Sequence, residues 1–221
     1  MSMQKSVPIS YHDALHVIRR LLDVAEKQHE PFEEPIVMLG GTAMAAHHIR
    51  KLSYDVDLYA RDFSDDVVYQ VEQQFRQQFG DDFKIDVTSV ENIWGDMMLR
   101  DIHQSEPDTV IRFENREVTI RKLSFDDLFL VKLDTGREKD RDDLFVLYEK
   151  TNADSLIKRF NVIWKWHGNR DAVLGYADSF VAILRQFDNH SPLAVIARLK
   201  LPEYMLKLLR EAWGTDDDQE I

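Results

Sequence analysis

Apolar residues along the first two thirds of this chain recur with two periods, which predict helices alternating with short strands. Helical spacing is typical of residues 11–29, 42–50, 67–79, 124–135 and 139–150. Short apolar or alternating runs, which favour strands, lie at residues 36–39, 54–60, 83–90, 109–113 and 117–121. This order predicts the α/β (α+β) class, with helices that flank a small sheet.

The pattern changes near residue 150, since the remaining residues keep helical spacing without an alternating run. We therefore predict a core domain over residues 1–150 and a helical C-terminal region over residues 151–221. The sequence does not indicate what the second region does.

Composition limits the classes of function. The formal net charge of -12 argues against broad, non-specific binding to nucleic acid. The chain has no cysteine, which excludes disulfides and thiolate metal sites. It also contains neither the apolar core of a signal peptide nor a run long enough to cross a bilayer. We expect a cytoplasmic protein that does not engage a membrane.

Two neighbouring features in residues 40–60 point to chemistry on a nucleoside triphosphate. Gly40, Gly41 and Thr42 open a predicted helix, where glycines allow close approach and unpaired N–H groups attract phosphate. Asp55 and Asp57 follow on a predicted strand, where residues i and i+2 share a face and can share Mg²⁺.

Together these features resemble the signature of the DNA-polymerase-β-like nucleotidyltransferase superfamily. Twelve residues separate Thr42 from Asp55, within the superfamily's gap of about 9–13. With Arg50 and Ser53 added, the run resembles the AbiEii branch, the toxins of type IV toxin–antitoxin systems. A second block, LSFDDLFLVKLDTGREKDRDDL over residues 123–144, resembles the downstream motif of the same family.

The resemblance implies that the sheet is the small mixed sheet of the nucleotidyltransferases. It also implies transfer of a nucleotidyl group from a nucleoside triphosphate to an acceptor hydroxyl, with release of pyrophosphate. Asp55, Asp57 and Asp86 would be the catalytic, metal-binding carboxylates around two Mg²⁺ ions. Asp86, on the predicted strand 83–90, would be the general base or a ligand of the second metal, provided that its strand pairs beside that of Asp57. Gly40, Gly41 and Thr42 would bind the nucleotide.

The second block contributes a cation and its supporting residues. Lys132 lies at the edge of its helix's apolar stripe, so its ammonium either reaches water or points into a cleft and holds the triphosphate. Asp140 and Asp143 share the apolar stripe of the next helix, and inward carboxylates usually pair with a cation. We predict that they position Lys132 or Arg137. Ser53 completes the supporting set.

Three functions remain open at this point. The AbiEii resemblance implies a toxin with a separately encoded antitoxin and an RNA or protein acceptor. A small-molecule, antibiotic-modifying nucleotidyltransferase shares the first motif. A non-catalytic nucleotide-binding regulatory module is the third, against which the intact Asp55, Asp57 and Asp86 count.

Overall fold

The computed structural model describes residues 7–30, 33–61, 63–88, 101, 105–113, 116–135, 137–166 and 169–214. The chain divides into two compact units, Met1–Ser124 and Phe125–Ile221. The elements described in the first unit are β1 (Ile9–Ser10), α1 (Tyr11–Lys27), β2 (Glu33–Met38), α2 (Gly40–Ala46), β3 (Leu52–Ser53), β4 (Val56–Arg61), α3 (Asp65–Phe79), β5 (Ile85–Thr88), β6 (Glu106–Arg112) and β7 (Glu117–Lys122).

The first unit is built on a five-stranded mixed sheet in the order β5-β4-β2-β7-β6, with a short second sheet of β1 and β3. Strand β2 runs antiparallel to β4 and parallel to β7. Strands β4 and β5 are parallel, whereas β6 and β7 form an antiparallel pair. The predicted α/β class, with a mixed sheet and flanking helices, is confirmed.

The core of this unit forms because the central strands are apolar on both faces. Ile36 and Val37 of β2 and Leu58 of β4 are completely buried. Helix α1 starts with a capping box, in which Ser10 and Asp13 satisfy each other's backbone N–H groups. The apolar stripe predicted for residues 67–79 is the buried face of α3.

The second unit is helical in its described part. Its elements are α4 (Phe125–Thr135), a 3₁₀ turn (Glu138–Asp140), α5 (Arg141–Tyr148), α6 (Ala153–Ile163), a 3₁₀ turn (Trp164–Trp166), α7 (Arg170–Asp188), α8 (Pro192–Ile196) and α9 (Glu203–Trp213). Its core includes Phe160, whose ring stacks on Phe180 with 4.8 Å between centroids. Within it, the buried Arg159 Nε donates to Asp127 Oδ1 at 2.5 Å.

The boundary predicted at residue 150 lies inside the second unit. Helix α4 contacts α5, α6 and α7, and its Leu130 carbonyl accepts a 2.9 Å hydrogen bond from Tyr176 Oη. The last described strand, β7, ends at Lys122, so the helices before and after residue 150 belong to the same helical unit. The change of period after residue 150 did not reveal which helices share a core.

Candidate functional site

The turn from β2 into α2 is shaped by two glycines that have no room for a side chain. Gly40 adopts φ +45°, and a Cβ there would lie 2.5 Å from Asp57 Oδ2. A Cβ on Gly41 would lie 2.5 Å from Ser53 Oγ. The glycines therefore let the start of α2 approach the strand that carries the aspartates.

Asp57 reaches the N-terminus of α2. Its Oδ2 accepts a 2.9 Å hydrogen bond from the Gly41 N–H, one of the groups that the helix itself leaves unpaired. The Leu39 N–H donates to the Asp57 carbonyl at 2.9 Å and fixes the backbone beside it. The N–H predicted to meet a phosphate is thus bonded to a carboxylate in this state.

Two hydroxyls hold the backbone of the Asp-x-Asp segment. Thr42 is fully buried, and its Oγ1 accepts from the Asp57 N–H at 2.9 Å and donates to the Asp55 carbonyl at 3.3 Å. Ser53 Oγ donates to the same carbonyl at 2.9 Å. This geometry gives both hydroxyls a structural role. Phosphate binding by Thr42 stays a prediction without a contact to support it.

Asp86 lies beside Asp57. Strand β5 pairs in parallel with β4, and Asp57 and Asp86 are direct partners in the register. Paired residues of neighbouring strands carry their side chains on the same face. The pairing on which the prediction for Asp86 depended is therefore present, whereas its catalytic role stays a prediction.

A cavity of about 330 Å³ borders the carboxylates, and it is lined by Asp55, Glu72, Lys84, Ile85 and Asp86. Glu72 is fixed, because its Oε1 accepts from the Ile85 N–H at 2.9 Å and its Oε2 pairs with Arg76 at 3.2 Å. Lys84 places an ammonium in the same lining. Sequence reasoning missed Glu72 and Lys84, since only the pairing of β4 with β5 brings them to Asp55.

The described carboxylates bear on the predicted Mg²⁺ site. Within the described residues, no three His, Cys, Asp or Glu side chains are grouped closely enough to form a metal cage. Magnesium rarely uses such a cage, since one or two carboxylates, waters and substrate phosphates complete its shell. Asp57 and Asp86, which are partners on adjacent strands, supply two carboxylates and fit that kind of site. Asp55 directly precedes β4 and lines the neighbouring cavity.

Arg50 is a second cation that the site gains from the fold. Helix α2 ends at Ala46, four residues before the predicted end, and His48 takes a φ of 59° after it. The chain then turns so that Arg50 Nη1 would be 3.7 Å from a Cβ on Gly41. The guanidinium thus lies next to the first turn of α2.

The second unit contains a charge cluster, which is formed by Lys132, Arg137, Asp140 and Asp143. Lys132 Nζ lies 2.9 Å from Asp140 Oδ1 and 2.8 Å from Asp143 Oδ2, and Arg137 Nε lies 2.6 Å from Asp140 Oδ2. The Lys132 side chain is 5% exposed, so it does not extend into water. Two carboxylates balance its charge. The geometry favours a structural role, and its contact with a triphosphate stays a prediction.

Near the end of α2, His47 is held neutral by its surroundings. Burial lowers the pKa of its imidazole below the ordinary 6.5, and the hydrogen bond to the Leu123 carbonyl opposes this shift. Because a carbonyl only accepts, Nε2 carries the hydrogen across the 2.7 Å contact.

Comparison with known proteins does not assign the chain to a family. No family model matches it, and no curated protein matches it either. A crystal structure of an antigenic nucleotidyltransferase-like protein from Paracoccidioides brasiliensis matches 88% of this chain and 97% of its own. Sequence identity is 13% and the TM-score is 0.42. Within the described residues, no helix combines the length and apolar character needed to cross a membrane.

Proposed function

We propose that this protein is a Mg²⁺-dependent nucleotidyltransferase that moves a nucleotidyl group from a nucleoside triphosphate to an acceptor hydroxyl. The observation that carries the proposal is the register of Asp57 and Asp86 on adjacent strands, with Asp57 bonded to the N-terminus of α2. Carboxylate oxygens are the ligands that a hard cation such as Mg²⁺ requires, and the N–H groups of a helix N-terminus are donors for a phosphate. The site offers both.

Each residue has a defined part in this proposal. Asp55 and Asp57 would hold the Mg²⁺ that neutralises charge on the phosphates, and Asp86 would be the general base or a ligand of a second Mg²⁺. The α2 N–H groups at Gly40 and Gly41 would bind phosphate oxygens, with the Arg50 guanidinium beside them.

The proposed reaction breaks one bond and forms one. The acceptor oxygen bonds to the α-phosphorus, while the bond from that phosphorus to the bridging oxygen of the β-phosphate breaks. Pyrophosphate leaves with the electron pair. The hydroxyl proton passes to a carboxylate oxygen of Asp86, the general base of the proposal.

A finer proposal concerns biology. We infer a type IV toxin that acts in the cytoplasm on an RNA or protein acceptor and is countered by a separately encoded antitoxin. Its support is the resemblance of residues 40–60 and 123–144 to the AbiEii branch. Induced expression should then stop growth of a bacterial host, and Asp57→Asn should relieve the arrest at equal protein level.

Substitutions at Asp57 separate metal binding from folding. Asp57→Asn keeps an oxygen that can accept from the Gly41 N–H but removes the charge. We expect a stable protein whose Mg²⁺-dependent affinity for a nucleoside triphosphate falls at least about tenfold, as on loss of a charged metal ligand. Asp81→Asn, at an exposed residue before β5, is the matched control. Unchanged affinity in Asp57→Asn would overturn the metal assignment.

Transfer itself is measured with α-³²P-labelled nucleoside triphosphates and whole-cell RNA, protein or small-molecule fractions. Asp86→Asn should lower transfer by roughly 10²-fold or more while triphosphate affinity stays within about threefold. Label on RNA or protein supports the toxin, and label only on a small molecule supports the antibiotic-modifying enzyme instead. Absence of label with every triphosphate and fraction would contradict catalysis and leave the regulatory nucleotide-binding module.

A further inference from the structure

The two edges of the five-stranded sheet differ in how their outward-pointing backbone groups are bonded. At one edge, β5 exposes the Ile85 N–H on the side away from β4, and Glu72 of α3 accepts its hydrogen bond at 2.9 Å. A side chain from a neighbouring helix thus satisfies one outward N–H of that edge. Proteins commonly block edge strands in this way, because unpaired backbone groups bind other strands.

The opposite edge strand, β6, directs outward backbone groups that no other described residue pairs. The Phe113 N–H donates to the Arg116 carbonyl at 2.9 Å, which identifies a hydrogen-bonded pair next to the β6–β7 register. Hydrogen-bonded and non-hydrogen-bonded pairs alternate in an antiparallel ladder. Val110 and Arg112 are therefore in non-bonded pairs with β7, and their N–H and C=O groups point away from the sheet.

A groove of about 590 Å³ follows this edge. It is lined by all four residues 109–112, whose side chains alternate between the two faces. A cavity that contacts every one of them must run along the strand edge. The Val110 side chain is 47% exposed, which leaves an apolar surface for an added strand to cover.

The other wall of the groove is a polar stripe on α1. His12, His16 and Arg19 lie at helical spacing, and each is exposed. Arg112 adds a guanidinium from the strand; it also pairs with Glu117, but both side chains are mostly exposed, so this pair is weak. None of the described residues that line the groove is acidic. The chain as a whole carries a net charge of -12, whereas this groove presents the guanidinium groups of Arg19 and Arg112. The groove therefore favours a negatively charged ligand.

We propose that the edge of β6 binds an acidic polypeptide segment in extended conformation, which adds to the sheet as a sixth strand. The outward groups of Val110 and Arg112 bond to its backbone, and Arg19 and Arg112 attract its carboxylates. From residue 109 to residue 112 the edge covers about 10 Å, enough for a core of three or four residues. The proposal does not depend on the function proposed for the aspartates.

The test uses a fluorescent nine-residue peptide in which Glu and Val alternate, titrated into the full-length protein by anisotropy. The peptide should bind, whereas the same peptide with Lys in place of Glu should bind at least about tenfold more weakly. N-methylation at alternate backbone positions should also abolish binding, because it removes the donors of an added strand.

Variants locate the site. Val110→Pro removes an outward N–H without removing a bond to β7, and it should lower affinity at least about fivefold. Val110→Ala keeps that N–H and should bind within about threefold of the wild type. Arg19→Glu should weaken binding at least about tenfold, and Lys150→Glu, exposed in the second unit, should not.

Three results would overturn the proposal: no binding of the acidic peptide, equal binding of the basic one, or full affinity for the N-methylated one. Unchanged affinity in Val110→Pro with an intact circular dichroism spectrum would also overturn it, since side chains alone would then hold the ligand. Displacement of the peptide by single-stranded RNA, with RNA affinity unaffected by Val110→Pro, would assign the groove to nucleic acid instead.

Discussion

Replacing Lys132 by Met distinguishes two roles for this residue in the charge cluster: it either stabilises the fold or binds the nucleotide. The ammonium contacts Asp140 and Asp143 at 2.9 and 2.8 Å, and the three side chains are 5%, 4% and 8% exposed. Met keeps an unbranched, apolar side chain that fills similar space. The substitution therefore removes the charge and the hydrogen bonds while changing the packing little.

The expected loss of stability follows from burial. Removal of one partner from a buried ion pair costs about 3–5 kcal/mol, because the remaining charge stays in a poorly solvated place. Arg137 still pairs with Asp140, but its side chain is 53% exposed and its contribution is screened by water. We expect the lower part of that range. A loss of about 3 kcal/mol is a large fraction of the usual stability of a domain.

The assay compares urea unfolding with nucleotide binding in the same variants. Lys158→Met, at an exposed lysine of α6, is the matched control and should change the free energy of unfolding by no more than about 0.5 kcal/mol. Adding Asp143→Asn to Lys132→Met should restore part of the stability, because it removes one uncompensated charge. If Lys132→Met unfolds like Lys158→Met but loses more affinity for triphosphate than for monophosphate, Lys132 is a phosphate ligand and its structural role is contradicted.

Three further predictions concern stability. The folded-state pKa of His47 lies below 6.5, so the unfolded chain binds a proton first as pH falls. The urea concentration at the unfolding midpoint should therefore fall when the pH is lowered from 7.5 to 5.5, and it should fall less in His47→Gln. Arg159→Leu should cost about 3–5 kcal/mol in thermal or urea unfolding, since it strips the cation from the buried Asp127, and a loss below 1 kcal/mol would contradict this. Gly41→Ala should cost about 1–3 kcal/mol through its 2.5 Å approach to Ser53 Oγ, and adding Ser53→Ala should cost less than the sum of the two single changes.

The longer elements could be predicted because each has a local cause, whereas the two-residue strands β1 and β3 were not predicted. The stripe from Val67 to Phe79 has helical period, and it forms the buried face of α3. Boundaries were less well predicted. Helix α2 ends at Ala46 because His48 adopts a left-handed conformation, and the local pattern of small and apolar residues gives no sign of this.

The candidate site was predictable only in part, since strand pairing is a property of the whole fold. The sequence places Asp86 on a strand, but the resemblance to a family was needed to predict its neighbour. The full burial of Thr42 and the position of Lys84 beside Asp55 depend on how β4 meets α2 and β5. No pattern within a single segment records such contacts.

The hydrogen bond between Asp57 and Gly41 has a consequence for the order of binding under the proposed function. A buried N–H requires an acceptor in every state, and in the unliganded state the Asp57 carboxylate supplies it. A phosphate that takes this N–H must displace the carboxylate, which then needs another partner. Mg²⁺ is such a partner, and it also offsets repulsion between the phosphates and the neighbouring Asp55 and Asp86. Triphosphate takes the Gly41 N–H from Asp57, and Mg²⁺ binds the Asp57 carboxylate that is displaced. Each ligand therefore favours binding of the other, and the two should bind cooperatively.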